Sequence, residues 1–430
     1  MVGLAFDIGF FEFMQRNAQT AADAGALAGS INLSYGTAVT GARAGTAANG
    51  FTNGSGGVTV TVNNPPASGP HAGGSCSGAS PSSNCNFVEV IVSEPEPTFF
   101  LKMLGIGPST VSARAVATSL SGDCVFALDP TMSGALTFAA LSLNDVNAPS
   151  CAMIVDSNSG SAISGFFTLA FITTSQTSVV GNVSCFFCSF SPSPVTGAPA
   201  LSDPLAYLPA PAVAACAGTV KTIATGTTTV NPSAGCYKVS VTGAANVTFM
   251  PGEYSSITIS GGIAPTLTFQ PGLYVIQGSN GGYALNLAGS GGTIQGAGVT
   301  FYIGPSAGGV SLYGEGGGGI FNDINLVAQT TGTYAGILFY QDRSNSNSAC
   351  VGGCGASLSG IFNFMQVQGA LYFPSASLSF EGCCQNSAGA YYTAYEITVA
   401  KSLTFAWNYF NDDYSSLPGG SPIKKTVLVE

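Results

Sequence analysis

The sequence predicts an α+β protein with a long N-terminal helix over residues 1–35, a small α/β domain over 36–120, and a large all-β domain of the parallel β-helix type over 121–430. Three observations carry that prediction. Residues 1–30 are rich in helix-forming side chains and contain no proline. Residues 58–117 hold three runs that alternate with a period of two. From about residue 121 onward, short apolar clusters recur between glycines, in the manner of stacked coils.

The first half of the helix is apolar on nearly every side, through Val2, Leu4, Phe6, Ile8, Phe10, Phe11, Phe13 and Met14. About 14 residues are too few for a bilayer span, which needs roughly 20. Such a surface has to be covered by its own domain, by lipid, or by copies of itself. The second half places Ala and Gly on more than one face between Asn17 and Gly29, which suits close approach of another backbone. Two acids sit in the apolar half. Glu12 and Arg16 stand at i, i+4 in the favoured order and are expected to pair within the helix. Asp7 has no cation at helical spacing, so it takes either a neighbouring subunit's Met1 amine or Arg16, or local polar groups.

The run GLAFDIGFFEFMQRNAQTAADAGALAG resembles the N-terminal signature of the TadE/TadG-like proteins of Tad (Flp) pilus assembly. The phrases TVTVNNPP, NFVEVIVSEPEPTFF and VSARAVATS resemble that family's small strand domain. FQPGLYVIQG, GILFYQDRSN, GALYFPSASLSF and the terminal VLVE resemble the C-terminal part of its longer, TadG-like members. The resemblance implies a pilus-related, extracytoplasmic protein whose apolar segment extends further upstream, so that Met1 reads as a processed or truncated start. It also implies partners among pilus-assembly components, and a contact with membrane before assembly.

Within 36–120, Tyr35 to Gly50 keeps Ala at helical spacing and stops at Asn49-Gly50. VTVTV at Val58, FVEVIV at Phe87 and STVSARAVA at Ser109 read as half-buried strands. Thr98 to Leu104 reads as a short helix between Pro97 and Gly105. Helix, two strands, helix and strand make a small pilin-like α/β layer, with the loop from Cys76 to Cys85 on its surface.

The β-rich region is read from clusters such as Val247–Phe249, Ile257–Ile259, Leu267–Phe269, Tyr274–Ile276, Val299–Ile303 and Ile337–Tyr340. Its two Pro-Gly steps, Pro251-Gly252 and Pro271-Gly272, are 20 residues apart. That spacing favours stacked coils over the rival sandwich or jelly roll. Residues 189–211 are Pro-rich and read as an extended excursion off this domain.

Only 7% of the 430 residues are charged, and the net charge is −10 with ten basic residues. Too few cations are present for phosphate neutralisation, so nucleic acid is not a partner. So uncharged a chain is expected to associate, above all with itself.

Twelve cysteines, Cys76, Cys85, Cys124, Cys151, Cys185, Cys188, Cys216, Cys236, Cys350, Cys354, Cys383 and Cys384, fall in neighbouring twos along the sequence. An even count in a Gly- and Ser-rich chain points to disulfides and an oxidising compartment, with the connectivity left open. Cys185-Phe-Phe-Cys188 has zinc-like spacing, but no second CxxC follows and the sole histidine, His71, is far away.

No HExxH, GxSxG, P-loop or dinucleotide fingerprint occurs. The densest polar groups of the β region, Gln341-Asp342-Arg343 and Asn411-Asp412-Asp413, read as solvated turns. Carboxylate catalysis or a calcium site at 411–413 is the alternative. The sequence therefore predicts a non-enzymatic structural subunit without cofactor or metal. Such a subunit self-assembles into an extracellular filament through residues 2–16, with the β domain exposed. An envelope-anchored adhesin or a carbohydrate-binding or carbohydrate-active β-helix protein is the alternative.

Overall fold

A computed structural model describes residues 2–33, 37–74, 76, 83–120, 123–213, 216, 218–232, 235–259, 264–287, 292–312, 323–352, 364–381, 397–406, 409–411, 422–423 and 425–430. The chain forms two compact units. One is Met1–Ser121 with Lys424–Glu430, and the other is Gly122–Ile423.

The N-terminal unit contains two helices, α1 (Val2–Ile31) and α2 (Ala38–Ala48), and three strands, β1 (Thr59–Asn63), β2 (Phe87–Glu96) and β3 (Ser109–Leu120). A fourth strand, β4 (Lys425–Leu428), returns from the end of the chain to lie antiparallel to β3, with Leu120 opposite Lys425. The sheet order is β1-β2-β3-β4, antiparallel throughout. Sequence boundaries set 425–428 with the β-rich region. Their place in the small sheet follows from the open edge that β3 would otherwise present.

Alternation decides the packing. Val88, Val90 and Val92 of β2 and Val111, Ala113, Ala115 and Ala117 of β3 form one core with Ala18, Ala21, Ala22 and Ala26 of α1 and Ala42 of α2. The small residues of α1 therefore serve its own unit. A Cβ on Gly45 would lie 2.7 Å from the Ala24 carbonyl oxygen, and one on Gly25 would lie 2.6 Å from the Thr46 side chain. The two helices touch backbone to backbone because these positions are glycine.

The second unit is built from one sheet in which strands pair parallel to strands about one coil further along. Three columns of strands result. One runs through Ala245–Phe249, Thr266–Phe269 and Thr293–Gly296. A second runs through Gly272–Ile276, Val299–Ile303 and Ile337–Gln341, and a third through Tyr237–Val241, Ile257 and Leu285. Apolar side chains point inward. Phe249, Phe269, Phe301 and Phe339 form a ladder with ring centroids 4.9, 5.1 and 5.2 Å apart, each contact adding about 0.5–1.5 kcal/mol beyond area burial.

The Pro-Gly steps are corners of this stack. Gly252 and Gly272 have φ of 137° and 141°, and a Cβ at either would strike the proline one coil earlier, Pro232 or Pro251. Two residues beyond each glycine a buried tyrosine reaches back across the corner. The Tyr254 hydroxyl donates to Met250 O (2.5 Å) and the Tyr274 hydroxyl to Gln270 O (2.7 Å).

The order of coils in space differs from their order in sequence. Thr398–Ala400 pairs with Val125–Ala127, so the first coils of the unit, 123–196, continue the stack beyond its last ones. The chain must then travel back to begin the other end at Thr219–Ile223, and residues 197–213 are the described part of that return strap. Of the Pro-rich excursion expected over 189–211, Ser189–Ser191 and Val195–Thr196 instead pair in the stack with the strand Leu169–Val179. Prolines lack an N–H, so the strap docks largely by acceptors, with the Leu201 N–H donating to Asp156. Leu205 O and Leu208 O accept from the Arg343 guanidinium, Pro209 O from the Tyr334 hydroxyl, and Asp203 from the Tyr372 hydroxyl.

Candidate functional site

The apolar half of α1 is supported along one stripe only. Phe11 and Met14 pack against the small core, Phe10 is half-buried, and Leu4, Phe6, Ile8 and Phe13 are exposed, Phe13 by 59%. Val2 opens the helix. Glu12 and Arg16 are both exposed, and no ion pair joins them among the described residues.

Asp7 faces inward and is fully buried. Its carboxylate accepts the backbone N–H groups of Phe99 (3.2 Å), Phe100 (2.9 Å) and Leu101 (2.7 Å), at the start of the 3-10 turn Leu101–Leu104. Of the two partners open to it in the sequence, local polar groups are the ones it has. Gly105, with φ of 78°, ends the turn, and the Thr98 hydroxyl ties back to Ile106 O at 2.8 Å. Asp7 thus pins a loop whose own apolar side chains point outward.

That loop enlarges the patch. Phe99 lies edge-on to Phe6 and Phe10 at 5.6 and 5.3 Å, while Met103, Leu104 and Ile106 are exposed beside them. The sequence reads Thr98 to Leu104 as a short helix, of which the 3-10 turn Leu101–Leu104 is what forms, but does not add it to the apolar surface, although the apolar string TFFLKML was the signal. Asp7→Ala is expected to lower the stability of the unit by about 2 kcal/mol, because three backbone amides lose a charged acceptor. Amide hydrogen exchange at Phe99, Phe100 and Leu101 should accelerate, and unchanged protection there would contradict the pinning.

A second polar cluster holds the opposite face of the sheet. Buried Glu89 accepts from Arg114 Nε (2.5 Å), the Asn63 amide (2.7 Å) and the Ala67 backbone N–H (3.0 Å), and Arg114 Nη1 reaches Glu430 at 2.6 Å. Burial pushes the Glu89 carboxyl up, yet the Ala67 N–H, the Asn63 amide and Arg114 together hold it below its ordinary value.

Four cysteine pairs are bonded: Cys76–Cys85, Cys124–Cys151, Cys185–Cys188 and Cys216–Cys236, with Cα separations of 5.4–5.7 Å. Cys350 is also disulfide-bonded, while Cys354, Cys383 and Cys384 lie outside the described residues. These bridges fit an oxidising, extracytoplasmic compartment.

The candidate polar group Gln341-Asp342-Arg343 makes contacts within the β unit. Asp342 accepts from the Tyr302 hydroxyl (2.6 Å) and the Ser344 N–H (2.9 Å). Arg343 holds the strap, stacked between Tyr340 and Tyr372. Asp412 and Asp413 lie outside the described residues. No group of three His, Cys, Asp or Glu that could hold a metal ion occurs among the described residues, and no helix among them is long and apolar enough to cross a membrane.

No curated protein and no solved structure matches the chain. A family model for Tad-like Flp pilus assembly matches residues 15–117, from the middle of α1 to within β3. The match covers the packed half of α1, α2 and the first three strands, and the exposed apolar half of α1 precedes it. Over these residues the chain is similar to the Tad-like Flp pilus-assembly family, in keeping with the TadE/TadG-like resemblance of its sequence.

Proposed function

We propose that the protein is a non-enzymatic structural subunit of a Tad-type surface filament, polymerising through the apolar half of α1 with the second unit exposed as a parallel β-helix. The exposed apolar end of the N-terminal unit carries this reading. Leu4, Phe6, Ile8 and Phe13 stay about half exposed in their own unit, and covering the remainder of each is favourable by about 1–1.5 kcal/mol. Asp7 is already satisfied, so burying this surface against other copies strands no charge. Before assembly the same surface has an affinity for membrane. The all-parallel pairing and the recurrent Pro-Gly corners support the β-helix.

The test is electron microscopy of full-length Phe6→Asp and Phe13→Asp variants. Phe13→Asp should unfold as wild type does and Phe6→Asp somewhat earlier, through its lost contacts with Phe99 and Phe100, while filaments disappear in both. Filaments of unchanged form would assign polymerisation to another surface.

A second reading, an envelope-anchored adhesin that binds carbohydrate, draws on one feature. Thr268, Gln295 and Asn325 offer polar groups to a largely apolar groove of about 350 Å³ that Pro271, Ala297 and Val327 also line. Glycan-array binding that is lost in Gln295→Ala, with no filaments in wild type, would favour it.

A further inference from the structure

The second unit has an aromatic ridge that lies outside the family match and that the filament reading does not use. Where the chain turns between columns, three successive coils place large apolar residues in solvent. Leu141 (78% exposed), Phe167 and Phe187 occupy equivalent corners, linked by Leu141 N–H to Phe167 O (2.8 Å) and by Ala170 N–H to Phe187 O (3.3 Å). All three have positive φ, at 57°, 49° and 70°, in the left-handed region that bulky side chains rarely adopt. Phe166 and Phe186 complete the ridge. Phe166–Phe167, Phe167–Phe186 and Phe186–Phe187 meet edge to face at 4.4, 6.3 and 4.5 Å, and the Cys185–Cys188 bridge clamps the last pair. Leu169 and Phe171 extend the surface along the neighbouring strand.

A fold that holds three bulky residues left-handed only to face water incurs strain and an exposed apolar surface together. At about 150–250 Å² for each aromatic side chain, the exposed fractions amount to roughly 800 Å² of apolar surface. A stable protein interface needs about 800 Å² from each partner. Charge narrows the partner. No Lys or Arg lies between Arg114 and Lys221, and between Ala139 and Leu201 the acids are Asp145 and the buried Asp156. An anionic lipid surface or a polyanion would find no cation here.

We infer that the ridge is a second self-association surface, on which the same ridge of another copy docks about a two-fold axis. Rigid rings interdigitate edge to face, and the patch carries no cation and a single half-buried acid, Asp145 beside Phe171. The contact is separate from the α1 surface and holds whether or not α1 polymerises.

The test uses full-length protein with p-benzoylphenylalanine at Phe186, together with the double variant F166S/F186S. Photo-crosslinks should join position 186 to residues 139–190 of a second copy. In sedimentation velocity the double variant should weaken dimerisation by about 100-fold or more, since central aromatic contacts dominate such interfaces. F6D/F13D should remove filaments but keep this dimer. Crosslinks to α1 or to other proteins, an unchanged dimer in F166S/F186S, or Phe-dependent partition onto neutral phosphatidylcholine vesicles without dimers would each overturn the assignment.

Discussion

Replacing Arg343 with alanine is expected to release the return strap and cost about 3 kcal/mol, since several hydrogen bonds to one charged group are lost together. The guanidinium donates to Leu205 O (2.9 Å), Leu208 O (3.1 Å), the Tyr340 hydroxyl (2.9 Å) and the Tyr372 hydroxyl (2.8 Å) while lying over both rings. Its removal leaves the Leu205 carbonyl without that donor and the tyrosine hydroxyls without a cation. The coils themselves keep their parallel pairings. Limited proteolysis should therefore cut within residues 197–213 while the fragments stay associated, and denaturant unfolding should shift to a lower midpoint. Arg343→Lys should fall between, because a point charge cannot fork to two carbonyls. A strap as protease-resistant as wild type would show that Tyr334, Tyr340 and Tyr372 hold it unaided.

Arg114→Ala should have a comparable effect on the N-terminal unit, with a pH dependence between pH 7 and pH 5 that wild type lacks. Glu89 titrates below its ordinary value of 4.5 in the folded protein, so its contribution is present above that pH and is lost as pH falls through the folded value. Without Arg114 the carboxylate stays buried beside Asn63 and the Ala67 N–H alone, and desolvation comes to dominate. The variant should lose about 3 kcal/mol at pH 7, near the range for breaking a buried pair. Its Glu89 then has a raised value, and acidification toward pH 5 should restore part of the loss while wild type stays level. Chemical denaturation at pH 7 and pH 5 checks both slopes, and parallel losses in the two proteins would remove Arg114 from the account. Glu430 adds a further tie, because its contact with Arg114 joins the chain's last residue to β3.

Periodicity made much of this architecture legible. The alternation in FVEVIV and STVSARAVA maps onto β2 and β3, and the apolar clusters from Val247 to Tyr340 fall on strands of the parallel sheet. The Pro-Gly steps marked corners because left-handed turns against a proline leave no other residue. Spacing along the chain could not reveal partners distant in it. The acceptor role of Asp7 depends on amides at Phe99–Leu101, and Arg343 looked like part of a polar turn because its carbonyl acceptors lie far upstream. β4 was hidden for the same reason: TVLV is an ordinary strand sequence, and only the free edge of β3 assigns it. The ridge did leave a mark, two Phe-Phe doublets 20 residues apart, one coil from one another.

The seam at Thr398–Ala400 and Val125–Ala127 has a consequence for biosynthesis. Coils 123–196 leave the ribosome first, yet the strands they stack upon, near 397–411, are made last. Until then the early coils must wait with an unsatisfied edge, while the coils from 219 onward can add one by one in the order of translation. Closing the seam is therefore a long-range step that follows synthesis, and β4 can join β3 only after it is made. A nascent chain stalled anywhere in the stack leaves both the early coils and the small sheet unfinished, so proteases and chaperones of the export route have two exposed strand edges by which to recognise it.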